Sequence, residues 1–339
     1  MFLVDDLVNL NPLYLNVQID LGRIPLVLAL IPLIYLIPTF YVILNTLLVY
    51  FKNLYGKKDE TVNPHVLFVI VLHQLSTFSF MVFDYLNFRI PATGVITSWC
   101  ARQTPNHLLK WIFTGLLYAN YLSIAFPCLL AILRLVAVYY PQRHYEMSRK
   151  IVKILVPLIL TYPLFLLFHM VPALGVCRSY PPPYEFGAVF VHFQDAWMNI
   201  QNYYFVLFNG SFWFVLALIA NGILYRKLKK NSSSTSTRSS RSQKAELSLT
   251  LTTMSMMFSY VTNATFMIVF GFSPTVSRYL TLIRPFGNDC DLVIVPWIFF
   301  LVHPAFKHKP LFLKKYFMRK VNRGAGAGAG AGAPMNISH

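Results

Sequence analysis

The chain has few charged residues for its length. Asp, Glu, Lys and Arg make up 12% of its 339 residues, whereas soluble domains carry roughly 25%. Apolar residues reach 56%, and the mean hydropathy is +0.53. This composition indicates a chain that is solvated mostly by lipid. Cysteine is also scarce, and four cysteines exclude a disulfide scaffold and a multi-cysteine metal site.

The sequence also lacks the pattern of a signal peptide at its start. Residues 1–20 are acidic and do not place a short apolar core behind a basic segment, so we expect the first membrane helix to act as the insertion signal. The net charge is +17. In a membrane protein such an excess collects in cytosolic loops, so the predicted partner is the lipid bilayer and not nucleic acid.

Long apolar runs are what the sequence has in abundance. A spanning helix needs about 20 mostly apolar residues, and seven stretches qualify, with polar, basic or proline-rich linkers between them. No internal repeat of the kind found in many transporters is visible. The predicted fold is therefore an all-α membrane protein with a bundle of seven transmembrane helices. The spans are Ile24–Phe51, His65–Tyr85, Trp111–Tyr140, Ile151–Ala173, Tyr203–Tyr225, Leu247–Phe270 and Leu282–His303.

The distribution of Lys and Arg predicts the orientation. One set of loops, together with the tail, holds 21 of these residues, and the opposite set holds 7. Because basic loops stay in the cytosol, we expect an extracellular N-terminus (1–23), a membrane domain with the seven spans (24–306) and a cytoplasmic tail (307–339). The tail begins with an apolar and basic segment that predicts a short amphipathic helix on the inner leaflet, and it continues into a low-complexity Gly-Ala segment.

Arg134 is the most informative single residue, because a charge inside a span is costly and often functional. Ala137 follows three residues later and Pro141 seven residues later, at the cytosolic end of the third span. In this respect the chain resembles rhodopsin-like G-protein-coupled receptors, whose third helix ends in that pattern. The resemblance implies that Arg134 faces the cavity that opens for a G protein. Leu133 stands where that class has an acidic residue, so we expect the inactive state to be held differently.

The last span supports the same resemblance. Pro296 matches the proline of that class's Asn-Pro-x-x-Tyr motif, and Asp291 matches a polar position upstream of it. Val295 and Phe299 replace the Asn and the Tyr. The resemblance therefore assigns Arg134, Ala137, Pro141, Asp291, Pro296 and Phe299 to coupling and switching.

Over residues 24–306 the chain is similar to the nematode serpentine chemoreceptors, most closely to their class gamma group. The segment 284–304, which holds Arg-Pro-Phe-Gly-Asn-Asp, Val-Pro-Trp and His-Pro, carries most of this similarity. The resemblance implies a multi-pass chemosensory receptor of the plasma membrane, compatible with a sensory cilium and with a homodimer or heterodimer. Its implied partners are a heterotrimeric G protein and a small-molecule or peptide ligand. It implies no cofactor and no enzymatic activity.

Further site residues follow from the same comparison. By their offsets from Arg134 and Pro296, ligand-pocket candidates are Asn120, Tyr121, Asn288 and Asp289. Two acids in one span, Asp289 and Asp291, could repel each other or pair with Arg284 or His73.

Two cysteines and one asparagine complete the set of site residues. Cys100 and Cys177 both fall in extracellular loops, in an oxidising compartment. We expect a disulfide between them, as in the receptor class. In the first span, Asn45 matches the Asn of that class, and we expect it to have a structural role and to form a hydrogen bond with a neighbouring helix.

Two other functions remain open at this point. One is a seven-helix membrane hydrolase with a histidine-bound metal, suggested by three histidines and two acids, although no HxxxH or HExxH spacing occurs. These residues are His73, His169, His303, Asp84 and Asp291. The other is a transporter or channel subunit whose pore is lined by the Ser, Thr and Asn residues of the sixth span. Such residues more commonly form hydrogen bonds between helices.

Overall fold

The computed structural model describes residues 7–17, 24–55, 63–200, 202–232, 240–303 and 306. Within these ranges the chain forms seven long helices, and each overlaps one predicted span. The fourth helix ends seven residues earlier than predicted, and the seventh begins eight residues earlier. The helices are α1 (Ile24–Tyr55), α2 (Pro64–Asp84), α3 (His107–Tyr139), α4 (His144–Leu166), α5 (Asn202–Ser232), α6 (Ser240–Phe272) and α7 (Pro274–Val302). The predicted amphipathic helix lies outside the described residues.

Five helical stretches of the described chain are long and apolar enough to cross a membrane. They are Ile24–Tyr55, Pro64–Ala92, His107–Tyr139, Asn202–Lys227 and Tyr279–Val302. α4 and α6 do not meet this criterion. α4 carries Arg149, Lys150 and Lys153 in its first half, and α6 is rich in Ser and Thr. The protein is thus an all-α membrane protein, while the full count of seven crossings and the orientation stay predictions.

Local sequence explains where α2 and α3 begin. The Asn63 side chain accepts a hydrogen bond from the His65 amide at 3.0 Å, and Asn106 does the same for Leu109 at 3.0 Å. Such caps satisfy amide groups that the first turn of a helix leaves unbonded. At its far end α2 continues into a π-helical turn, Tyr85–Arg89, a distortion that often marks functional sites.

α3 lies at the centre of the bundle, and most of its side chains are buried. Near the end of α3 that holds Arg134, its apolar residues pack against α2, α4, α6 and α7 in one cluster that includes Leu133, Val295 and Phe299. Near its start, a second cluster joins α3 to the N-terminal segment through Val8 and Tyr14. Hereafter the end of the bundle near the first cluster is called the Arg134 end, and the end near the second cluster is called the hairpin end.

The hairpin end takes its name from a β-hairpin that covers it. The sequence analysis predicted helices only and did not include this hairpin. β1 (Leu174–Ser179) pairs with β2 (Val189–Gln194) in antiparallel register, with Cys177 opposite Val191. Gly175 also exchanges two backbone hydrogen bonds with Asn106. A Cβ atom on Gly175 would lie 2.1 Å from the backbone nitrogen of Lys110, so only glycine permits the hairpin to dock on the start of α3.

Candidate functional site

At the Arg134 end, a buried guanidinium joins α3 to α6. Arg134 is 6% exposed. It donates to the hydroxyl oxygens of Thr250 and Thr253 at 2.5 Å and to the carbonyl oxygen of Leu249 at 3.2 Å. Polar residues of the predicted sixth span thus bind an arginine. Because these contacts reach from one helix to another, α3 and α6 cannot separate here without breaking them.

The neighbouring switch candidates lie around this contact. Leu133 and Phe299 are fully buried in the same apolar cluster, and the Phe299 ring packs on His303 with centroids 4.9 Å apart. Pro296 is buried in α7, Ala137 is half-buried and Pro141 is exposed just after α3. At the position where the receptor class has a Tyr, Phe299 therefore makes apolar packing contacts.

At the hairpin end, Arg89 is the centre of a buried ionic cluster. Its guanidinium donates to Asp84 at 2.6 Å and to both carboxylate oxygens of Asp289 at 2.8 and 2.6 Å. It also reaches the carbonyl oxygen of Pro285 at 3.3 Å, and the Tyr35 hydroxyl donates to Asp289. The cluster thereby ties α1, α2 and α7 together. All three charged residues are 4–5% exposed, a burial that only such pairing and hydrogen bonding make tolerable.

A cavity of about 50 Å³ lies beside this cluster, between α1, α2, α7 and the hairpin loop. Apolar side chains form much of its wall. Its polar lining consists of Asp84, Arg89, Tyr180, Tyr184, Thr281, Arg284 and Asn288. Burial raises the pKa of the Tyr180 and Tyr184 hydroxyls, so both are available as neutral hydrogen-bond donors. The cavity has room for a few water-sized groups, so a larger molecule would have to widen it.

A second, smaller cavity of about 10 Å³ lies next to α3 and shares the lining residues Arg89 and Asn288 with the first. Asn120, Asp289 and Asp291 line it as well. This is about the volume that one water molecule occupies. Three of the four ligand-pocket candidates, Asn120, Asn288 and Asp289, therefore come together in the structure.

The fourth candidate, Tyr121, points elsewhere. It is fully buried, and its hydroxyl donates to Asn202 of α5 at 3.2 Å. Neighbouring residues of a helix lie about 100° apart around its axis, so Asn120 and Tyr121 face different partners. Asp291, which the sequence comparison assigned to the switch, has a carboxylate oxygen 3.7 Å from His73 Nε2.

Arg89 is the residue of this cluster that the sequence analysis did not identify. Its position between the second and third predicted spans makes it one of the seven Lys and Arg residues of the opposite loop set, yet it is buried, and removing it from that set widens the charge asymmetry. The expected partners of Asp289 were Arg284 and His73, whereas Asp289 binds Arg89. The signal was present: spans that contain Asp84, Asp289 and Asp291 need a buried cation, and Arg89 follows Asp84 by five residues.

Cys100 and Cys177 are joined in a disulfide, with their Cα atoms 5.8 Å apart. The bond attaches β1 to the short helix Thr97–Arg102 that precedes α3. Asn45 donates to the carbonyl oxygen of Tyr41 in its own helix at 2.8 Å. Among its described contacts, therefore, Asn45 does not supply the bond to a neighbouring helix that its position suggested.

The histidines that suggested a metal site are dispersed. His73 faces Asp291, His169 contacts the carbonyl oxygen of Leu166, and His303 packs on Phe299. Within the described part of the chain, no three His, Cys, Asp or Glu residues come together as metal ligands.

Comparison with known proteins agrees with these features. The family model described as "Serpentine type 7TM GPCR chemoreceptor Sru" matches residues 8–309. "Serpentine receptor class U-26" of Caenorhabditis elegans is 34% identical over 262 residues, which cover 77% of this chain and 89% of that protein. The prediction of a nematode serpentine chemoreceptor is confirmed. Within these receptors, both comparisons indicate class U, whereas the sequence resemblance indicated class gamma. The chain belongs to the Sru family of serpentine seven-transmembrane chemoreceptors.

Proposed function

We propose that this protein is a chemosensory receptor that binds an extracellular ligand and activates a heterotrimeric G protein. The observation that carries the proposal is the contact of Arg134 with α6, in a chain whose family is a receptor family. A buried arginine that joins two helices at one end of a bundle is suited to a protein that switches between two helix arrangements. A ligand at the other end then needs only to favour one helix arrangement over the other.

In the proposed resting state, α6 holds Arg134. Rhodopsin-like receptors carry an acidic residue before this arginine, and the Leu133 side chain offers no acceptor. Leu249, Thr250 and Thr253 supply acceptors from α6 instead. When α6 moves outward, Arg134 becomes available to the G protein, and the basic loops around it form the rest of the coupling surface.

We place the ligand site at the hairpin end, in the two adjoining cavities. Their walls offer guanidinium and hydroxyl donors, carboxylate and amide acceptors, and a large apolar area. This mixture suits a small molecule or peptide group that has both polar and apolar parts. Because the ionic cluster of Arg89 adjoins the cavity, a bound ligand would press on α1, α2 and α7 together.

The proposed topology has residues 1–23 outside the cell and residues 307–339 in the cytosol. The hairpin end is then extracellular, where an oxidising compartment maintains the disulfide of Cys100 and Cys177. We propose the plasma membrane as the location, a sensory cilium as its specialised site, and a homodimer or heterodimer as a compatible assembly. The receptor uses no cofactor and performs no covalent chemistry.

The decisive experiment is a ligand screen in cells that carry a G-protein reporter. The screen compares the native receptor with Arg134→Ala and with the matched control Arg102→Ala, which removes an exposed arginine outside the basic loops of the Arg134 end. We expect Arg134→Ala to abolish the response at unchanged surface expression, and Arg102→Ala to retain it. An unchanged response in Arg134→Ala would refute the coupling mechanism. Ligand-evoked current in cells without G-protein signalling would favour a channel instead, and stoichiometric zinc in the purified protein would favour a hydrolase.

A further inference from the structure

A large apolar groove lies on the outside of the bundle, and none of its lining residues belongs to the cluster of Arg89. Its volume is about 1030 Å³, and it runs between α2, α3 and α4. This is above the range of about 300–1,000 Å³ that is common for small-molecule sites. Its walls are mainly aliphatic and aromatic and include Leu72, Leu75, Phe83, Leu122, Leu160 and Leu164.

Small residues create this space. Ser76 and Ser79 of α2 and Gly115 and Ala119 of α3 line the groove, and none of them fills it. A Cβ atom on Gly115 would lie 2.5 Å from the Phe83 ring, so at this position the ring of α2 lies against the backbone of α3. The side chains of both helices therefore shape this part of the groove wall.

One cation lies at the hairpin end of this groove. Lys110 is 7% exposed, and its ammonium group donates to the carbonyl oxygen of Val171 at 3.0 Å. It also lies 5.7 Å from the centroid of the Trp111 ring. Among the described residues, no carboxylate is within ion-pair distance of Lys110. An ammonium group has three donors, and a buried cation without a counter-charge is costly, so this position favours an anionic occupant.

The depth of Lys110 fits the headgroup region of a bilayer. It precedes Arg134 by 24 residues, which corresponds to about 36 Å along a helix at 1.5 Å per residue. The hydrocarbon core of a bilayer is about 30 Å thick, and the headgroups extend it to about 40–45 Å. With Arg134 at one boundary, Lys110 lies at the other. Trp111 beside it is 65% exposed, as is common for tryptophans at membrane interfaces.

We propose that this groove binds a phospholipid of the outer leaflet, with its acyl chains along α2, α3 and α4 and its phosphate on Lys110. The apolar walls match acyl chains, and the phosphate oxygens supply the acceptors and the negative charge that Lys110 lacks. The site is separate from the ligand cavities, since neither Lys110 nor the groove residues of α4 line them. The leaflet follows from the proposed topology, whereas the phosphate contact does not depend on it.

Photo-crosslinking of the full-length receptor in nanodiscs tests this site. Two probes are compared: a phosphatidylcholine with a diazirine on one acyl chain, and a diacylglycerol with the same chain. We expect phosphatidylcholine to label groove residues of α2, α3 and α4 more strongly than diacylglycerol does. Lys110→Gln should lower the phosphatidylcholine signal about tenfold, the usual effect of losing a charged hydrogen bond, and should leave diacylglycerol unchanged.

Matched variants separate the phosphate contact from general effects. Lys110→Arg retains the charge and should retain labelling, and Arg102→Gln, which removes an exposed charge outside the groove, should change nothing. Ser79→Trp places a large side chain in the groove and should reduce labelling by both probes. Equal labelling by the two probes in the native receptor would overturn the proposal. Crosslinks at the groove between two receptor chains would also overturn it, since they would identify this face as an interface between copies.

Discussion

Two buried arginines join helices at opposite ends of this bundle, and they do so in different ways. Arg89 at the hairpin end binds two carboxylates, Asp84 and Asp289, and ties three helices. Arg134 binds hydroxyl and carbonyl groups of α6 and lies within two turns of the end of α3 at Tyr139. A long side chain near a helix end can extend toward water when its contacts break, whereas the cluster of Arg89 cannot be opened without stranding buried charges. We infer that Arg89 maintains the fold and that Arg134 controls the conformational state.

Removing Arg89 is the strongest test of this difference. Arg89→Ala leaves Asp84 and Asp289 buried without their cation, a change that typically costs about 3–5 kcal/mol. We expect a sharp fall in the thermal stability of the detergent-purified receptor and little protein at the cell surface. Thermal-shift assays measure the first effect, and labelling of the receptor on intact cells measures the second. Arg102→Ala, which removes an exposed arginine, should behave like the native receptor, and equal stability of Arg89→Ala would show that the acids are satisfied without it.

The contact at the Arg134 end should instead alter activity. Thr250→Val combined with Thr253→Val keeps the shape of both side chains and removes two acceptors of Arg134. Because the resting state loses these bonds, we expect basal G-protein signalling to rise several-fold while thermal stability stays close to native. The matched control is Ser255→Ala, since the Ser255 hydroxyl bonds within its own helix. Unchanged basal signalling in the double variant would argue against α6 as the restraint on Arg134.

A smaller change at the hairpin end comes from Tyr35. Tyr35→Phe removes the hydroxyl that donates to Asp289 and leaves the ion pair with Arg89 in place. A hydrogen bond to a charged group contributes about 1.5–3 kcal/mol, so the loss of stability should be smaller than that of Arg89→Ala. Thermal-shift assays of Tyr35→Phe and Arg89→Ala under the same conditions decide the order. The opposite order would contradict the central role of Arg89.

The smallest expected effect is a pH dependence of the hairpin. Burial lowers the pKa of His192 in β2 from 6.5 to about 4, and its ring packs near Phe113. The folded state therefore favours the neutral ring, so the stabilisation is complete above pH 6.5 and is lost as the pH falls toward 4. His192→Phe should show a shallower fall in melting temperature between pH 7 and pH 5 than the native receptor does. Identical pH profiles of His192→Phe and the native receptor would exclude His192 as the source of the pH-dependent loss of stability.

Much of the architecture could be predicted because its causes are local. Each of the seven apolar runs overlaps a helix, since the length of an apolar run and the caps at Asn63 and Asn106 act within a few residues. The hairpin of β1 and β2 was missed, because its strands are short and depend on pairing with each other and with Asn106. Asn120, Asn288 and Asp289 were predicted to share a site and lie together, whereas Tyr121 faces α5.

By itself the sequence determined the membrane class, the number of long helices and the receptor resemblance, since these depend on composition, on the length of apolar runs and on residues spaced along single helices. Only the tertiary structure decided which charges meet. Arg89 and Asp289 are 200 residues apart, and Arg134 and Thr253 are 119 apart. Because burying a charge is costly, each buried charge needs a partner, but this cost does not specify which residue the partner is. That choice depends on how the helices pack, which no single segment of the sequence contains.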